Sequence, residues 1–163
     1  MKKKRLPMGQ WLPVLLVIAL DQITKLAVIR SLRPYESIPV IPGFFNLVHV
    51  RNPGIAFGLL SQLGTLWSSL LLSSLTAAAL ILLVLWWARL KEDDHRTAFG
   101  LSLVIAGAIG NLIDRLRFGE VVDFLDFFIA AYHWPAFNVA DSAVTVGTLW
   151  VAWSILFEGP AKK

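Results

Sequence analysis

Between Leu66 and Trp87 the chain carries no charged residue at all. A helix needs about 20 residues, at about 1.5 Å each, to cross a hydrocarbon core. That run is long enough, and it limits the chain to folds in which backbone polar groups are satisfied internally. Three further stretches have a similar character: Trp11 to Ile29, Ala98 to Leu116 and Val139 to Phe157. With 56% hydrophobic and only 16% charged residues, the 163-residue chain is poorer in charge than a water-soluble domain, where about a quarter is usual. The expected fold class is an all-α membrane protein with four transmembrane helices, in one membrane-embedded domain over residues 1–163.

The start, MKKKR followed by an apolar run, has the outline of a cleavable leader. No A-x-A-like site follows, and Asp21 and Lys25 interrupt what should be a uniformly apolar core, so a retained first helix is expected. Lys2, Lys3, Lys4 and Arg5, the Arg89, Lys91 and Arg96 connection, and Lys162 and Lys163 fall on one side of a four-span topology. Positive-inside bias makes that side the cytoplasm, with both termini there. The net charge of +4 is thus read as a topology signal and not as a nucleic-acid surface. Residues 31 to 58 and 117 to 138 then face outward. The first contains SIPVIPGFFNLVHVRNPGIAFG, whose three prolines, three glycines and β-rich FFNLVHV suit a small strand-and-turn cradle on the membrane surface. The second, RFGEVVDFLDFFIAAYHWPAF, is rich in aromatics suited to headgroup depth.

On this topology the polar intrusions converge. Asp21 and Lys25 lie in the outer half of the first helix, Asn111, Asp114 and Arg115 at the outer end of the third, and Asn138 and Asp141 in the first turns of the fourth. Asn52 and Asp123 belong to the outer connections. An ionised residue at mid-bilayer costs about 2.5–3.5 kcal/mol, and such residues usually mark function. Each also has a plainer reading. Asp21 and Lys25 have the spacing of a helical ion pair, Asp114 and Arg115 that of a helix-end charge pair, Asn138 and Asp141 that of helix caps, and Asp126 most simply faces water.

The chemistry open to this set is narrow. The chain has no cysteine, hence no thiolate nucleophile or thiolate metal site. His49, His95 and His133 are far apart and show no ligand spacing, so no metal and no cofactor are expected. No GxSxG or SxxK pattern is present to activate a serine. Two carboxylates held close together cannot both ionise cheaply, and one retains its proton. Such a pair supplies a base for water and an acid for the carbonyl oxygen, as in aspartic proteolysis. The residues alone leave the pair open as any two of Asp21, Asp114, Asp123 and Asp141. They also leave room for a small proton- or ion-coupled transporter, or for a scaffold that holds partners through its outer aromatic loop.

DQITK (21 to 25), RNPGIAFG (51 to 58), GAIGNLIDRLRFGEVVDF (107 to 124) and FNVADSAVTVG (137 to 147) together resemble the motif blocks of lipoprotein signal peptidase, or signal peptidase II, a bacterial membrane aspartic protease family. The resemblance implies cleavage of prolipoproteins just before a diacylglyceryl-modified cysteine, at the outer face of the cytoplasmic (inner) membrane. It implies Asp123 and Asp141 as the catalytic acids, with Asp21, Lys25, Asn52, Asn111, Asp114, Arg115 and Asn138 as substrate-binding or supporting positions. It further implies a β-like cradle on the outer leaflet, contact with membrane lipid and no nucleic-acid partner, and the chain is expected to act as a monomer. Pro53 stands where the family more often has a small or hydroxyl residue, and Ala106 where a glycine is frequent.

Overall fold

A computed structural model describes residues 11–54 and 64–158. The basic runs at 2–5 and 162–163, and residues 55–58 of the RNPGIAFG block, lie outside the described residues. Four helices are long and apolar enough to span a membrane, over Trp11–Ser31, Leu66–Arg89, His95–Phe118 and Val139–Phe157. In chain order the elements are α1 (Trp11–Ser31), β1 (Ser37–Ile41), β2 (Phe45–Asn52), α2 (Gly64–Arg89), α3 (His95–Phe118), β3 (Val121–Ile129), β4 (Tyr132–His133) and α4 (Val139–Glu158).

Local chemistry sets the helix ends. The Asp94 side chain accepts from Thr97 N and so caps the start of α3. Gly119, at φ +78, ends that helix in the left-handed region and donates its N–H to the Arg115 carbonyl at 2.9 Å. The tight exit turns the chain directly into β3.

The helices turn apolar side chains outward, with Leu15, Leu16, Ile23, Leu82, Leu149 and Leu156 all more than half exposed. Lipid is the solvent that tolerates such a surface. Helix α3 is the central element and the one with a long buried face, from Thr97 to Asp114. Close approach holds it to α4: a Cβ at Gly107 would collide with the Ala140 carbonyl, and one at Gly147 would meet the Gly100 carbonyl at 2.7 Å.

Two apolar clusters lie at different depths. Val14, Trp87, Ala98, Leu101, Ile105, Ala106 and Val151 form the larger, toward the end of the bundle where α1 and α3 begin. Val28, Leu32 and Phe124 form the smaller, with Leu47, Leu125 and Val139 packed on it beneath the sheet. Between them, at the level of residues 21–25 of α1 and 111–114 of α3, the buried side chains are polar.

The cradle is larger than its expected extent. Strands run antiparallel in the order β1-β2-β3-β4, so the 117 to 138 segment, read from sequence as an aromatic outer loop, supplies half the sheet. Within it Phe127 packs in the sheet, stacking on Phe45 at 4.6 Å and on Phe137 at 5.8 Å between ring centroids. Asp126 does not face water. It pairs in register with Asn46, is buried, and accepts from Asn46 Nδ2 at 3.0 Å and bonds His133 Nδ1 at 2.8 Å. A buried carboxylate needs such partners, and pairing in the sheet supplies them.

Candidate active site

Helix α4 opens with a reciprocal cap. Asp141 N donates to Asn138 Oδ1 at 2.9 Å, and Asn138 N donates to Asp141 Oδ2 at 3.3 Å. This is a capping-box arrangement with aspartate in the return position. The capping reading of both residues is therefore correct, yet neither stops there. Asn138 is fully buried, and its Nδ2 donates to Asp123 Oδ1 at 2.7 Å. One asparagine thus touches both carboxylates and joins the start of α4 to β3. Asp141 Oδ1 accepts from Asn111 Nδ2 at 2.7 Å.

Asp123 is positioned by strand register. Between Leu47 and Val50 strand β2 spends one residue more than β3 does between Leu125 and Asp123, which is a β-bulge. Beyond it Asn52 lies opposite Val121, so its side chain shares a face with Asp123 as a diagonal neighbour. Asn52 Nδ2 donates to Asp123 Oδ2 at 2.9 Å. The Asp123 carboxyl is raised from its ordinary value of 3.8 to about 6, chiefly by burial, with Asp141 adding to the rise while the Asn52 and Asn138 hydrogen bonds and the Lys25 charge oppose it. Asp123 therefore retains a proton far more readily than a water-exposed aspartate. Asp141 is only half-buried and is the more open of the two acids.

Beneath the pair lies an ion cluster. Lys25 Nζ is 2.9 Å from Asp21 Oδ2 and 2.9 Å from Asp114 Oδ2, with all three side chains at 2% exposure or less. The same ammonium donates to Asn111 Oδ1 at 3.0 Å. This fixes the flip of the Asn111 amide, because Lys25 can only donate and so the amide nitrogen must face Asp141. The ion pair read from the spacing of Asp21 and Lys25 is present, but it is shared with α3. Asp114 directs its hydrogen bonds away from Arg115: it accepts from Lys25, from Gln22 Nε2 at 3.0 Å and from Val122 N at 3.1 Å. Adjacent helical side chains point about 100° apart, which separates these two. Arg115 instead lies within electrostatic reach of Asp141, Asp123 and Asp114, and its buried Nε has no hydrogen-bond partner among the described residues. It borders a groove of about 450 Å³ between α2 and α3, lined also by Leu66, Ser69 and Ser73.

All nine residues singled out from sequence thus belong to one connected region. One further member carries no signal of its own in the sequence. Gln22 lies between two expected positions, and its amide bonds both Asp21 and Asp114. His49 is buried at the bulge, with Nδ1 3.0 Å from the Leu32 carbonyl. Among the described residues no group of three or more His, Cys, Asp or Glu is arranged to hold a metal ion.

Residues 13–157 match the family model described as Signal peptidase (SPase) II. The lipoprotein signal peptidase of Desulforapulum autotrophicum is 53% identical over 146 residues, covering 87% of this chain and 88% of that protein. That of Syntrophus aciditrophicus is 48% identical over 136 residues, covering 83% and 84%. A solved bacterial membrane enzyme superposes with a TM-score of 0.84 at 35% identity, over 97% of this chain and 99% of its own. Nothing in these relatives favours the transporter. Carboxylates joined through one asparagine at one end of four spanning helices, in a sequence matched over nearly its whole length, lead to a single conclusion: the chain belongs to the signal peptidase II family and is a multi-pass membrane peptidase.

Proposed function

We propose that this chain removes signal peptides from prolipoproteins by aspartic proteolysis, cutting just before a diacylglyceryl-modified cysteine, with Asp123 and Asp141 as the catalytic pair. The observation that carries the assignment is Asn138, bonded at once to Asp123 Oδ1 and Asp141 Oδ2. No other two carboxylates of the cluster combine this proximity with an open side. Asp21 and Asp114 are saturated by Lys25, Gln22 and backbone N–H groups and are at most 1% exposed.

Asp123, the buried acid, holds the proton at rest, and Asp141, fed by Asn111 and the N-terminus of α4, is the ionised base. Asp141 takes a proton from a water held between the two, and the oxygen attacks the scissile carbonyl carbon while Asp123 protonates the carbonyl oxygen. On collapse Asp141 returns its proton to the departing nitrogen, the C–N bond breaks, and Asp123 recovers its proton from the hydroxyl of the new acid. The Arg115 guanidinium and Asn52 pair with the extended peptide, whose C=O and N–H groups match their donors and acceptors. Signal peptide and acyl chains stay in lipid, against the apolar walls of α2 and α3.

The active centre then faces the outer leaflet of the bacterial inner membrane, with both termini cytoplasmic. Arg89, Lys91 and Arg96 at the opposite end of the bundle support that orientation, and one chain suffices, since one chain supplies both acids. Asp123→Asn and Asp141→Asn, assayed separately on a lipid-modified precursor in detergent, test the reading. Each should lose about 10²–10⁴-fold in kcat. Near-normal turnover by either removes that residue from the pair.

A further inference from the structure

Asp21 and Asp114 each grip the backbone one residue ahead of a proposed catalytic acid. Asp21 Oδ1 accepts from Ala140 N at 2.9 Å, next to Asp141, and Asp114 Oδ2 accepts from Val122 N at 3.1 Å, next to Asp123. The two grips originate on different helices, α1 and α3, and two links connect them. One is Lys25, bonded to both carboxylates. The other is Gln22, whose Nε2 donates to Asp21 Oδ2 at 3.1 Å, to Asp114 Oδ1 at 3.0 Å and to the Gly110 carbonyl at 3.3 Å. Its Oε1 accepts from Arg117 at 3.4 Å. The orientation of the amide follows from chemistry: three acceptors surround the nitrogen and a guanidinium faces the oxygen.

We propose that Gln22 is a positioning residue, the uncharged half of a brace that sets the distance between β3 and the start of α4. Two carboxylates and one ammonium leave the buried cluster with one net negative charge. Lys25 draws both carboxylates toward one ammonium, and Gln22 adds N–H donors to both without adding a charge. The approach of α1 to α3 is made for this contact, since a Cβ at Gly110 would lie 2.7 Å from Asp21 Oδ2. Loss of the amide lets Asp21 and Asp114 part, and each takes with it the backbone it holds. Gln22 touches neither Asp123 nor Asp141, so it acts through their supports. The consequence for turnover rests on the peptidase reading above; the consequence for geometry does not.

The chain has no native cysteine, so nitroxides can be placed singly at Ile129 of β3 and Val146 of α4, both exposed. Gln22→Met, which keeps length and removes both donors, should broaden the distance distribution between these labels. In the label-free chain it should lower kcat roughly 10- to 100-fold, the range expected for misplacement of reacting groups, with KM within about twofold. Ile23→Ala, at a lipid-facing neighbour, should change neither. Gln22→Asn, which keeps an amide too short to span both carboxylates, should reproduce the broadening and serves if the methionine variant does not fold. An unbroadened distribution overturns the proposal, as does a raised KM with unchanged kcat, or broadening with full turnover. Broadening in a protein whose wild type cleaves no lipid-modified precursor leaves the brace standing and overturns the peptidase reading instead.

Discussion

Asn138 Nδ2 lies 2.7 Å from Asp123 Oδ1, so the residue that caps α4 also holds the carboxylate of β3. Removing it should cost twice over. Asn138→Ala loses a helix cap and leaves buried partners unmatched, together roughly 2–4 kcal/mol. It should also lower kcat on the order of 10²-fold, because the two acids lose their common link. Thermal unfolding in detergent and precursor cleavage measure the two effects.

The raised Asp123 carboxyl makes stability depend on pH in a definite direction. Its ordinary value is 3.8 and its native value about 6. Between these values the native state binds more protons than the unfolded chain, so stability falls as pH rises through that window. The penalty is fully present above about pH 6 and amounts to about 3 kcal/mol. In Asp123→Asn it is absent. The stability difference between variant and wild type should therefore move in the variant's favour by about 3 kcal/mol between about pH 4 and pH 8, read from melting curves across that range. A pH-independent difference refutes it.

Lys25 neutralises part of a buried pair of acids, so Lys25→Met leaves both uncompensated. A loss of about 3–5 kcal/mol is expected. Replacing Asp21 and Asp114 by Asn in the same chain removes the stranded charges while keeping acceptors for Ala140 N and Val122 N, and should recover much of that stability. Turnover should stay low in the triple variant, since Asn111 no longer receives the ammonium that orients its amide toward Asp141. Expression level and melting temperature of the two variants decide the first point, and kcat decides the second.

Gly107 and Gly43 separate close packing from backbone freedom. At Gly107 an added methyl meets the Ala140 carbonyl, one residue before Asp141. Gly107→Ala should cost about 1–3 kcal/mol and most of the activity. Gly43, in the turn between β1 and β2 at φ +78, has nothing within 4 Å of a Cβ. Gly43→Ala should cost only the left-handed backbone penalty, about 1–2 kcal/mol, with turnover kept. Equal losses of activity would refute the distinction.

Much of this arrangement was legible in the sequence because membrane solvent makes polar residues conspicuous. Asp21, Lys25, Asn111, Asp114 and Asn138 interrupt apolar helices, and one topology gathers them at one depth. The β half of the site was harder to read. Asp123 and Asp126 are three positions apart in a segment whose aromatics suited the membrane interface equally well, and nothing local says that VVDFLDFF pairs with FNLVHVRN. Strand pairing is a long-range property, so nothing near Asp126 in the sequence shows that Asn46 and His133 bury it. Gln22 carries no such signal because a neutral amide in an apolar run has little insertion cost compared with its charged neighbours, and only tertiary contacts reveal its partners.

The extra residue of β2 between Leu47 and Val50 has a parity consequence. Side chains alternate across a strand, so the same residues paired one-to-one from Leu47 onward, without the bulge, would carry Arg51 to the place of Asn52 and turn the amide to the opposite side of the sheet. Asp123 would then meet a cation in place of a neutral donor, and a carboxyl now poised to keep its proton would surrender it. Through this single irregularity, strand register governs the ionisation of a residue on the neighbouring strand.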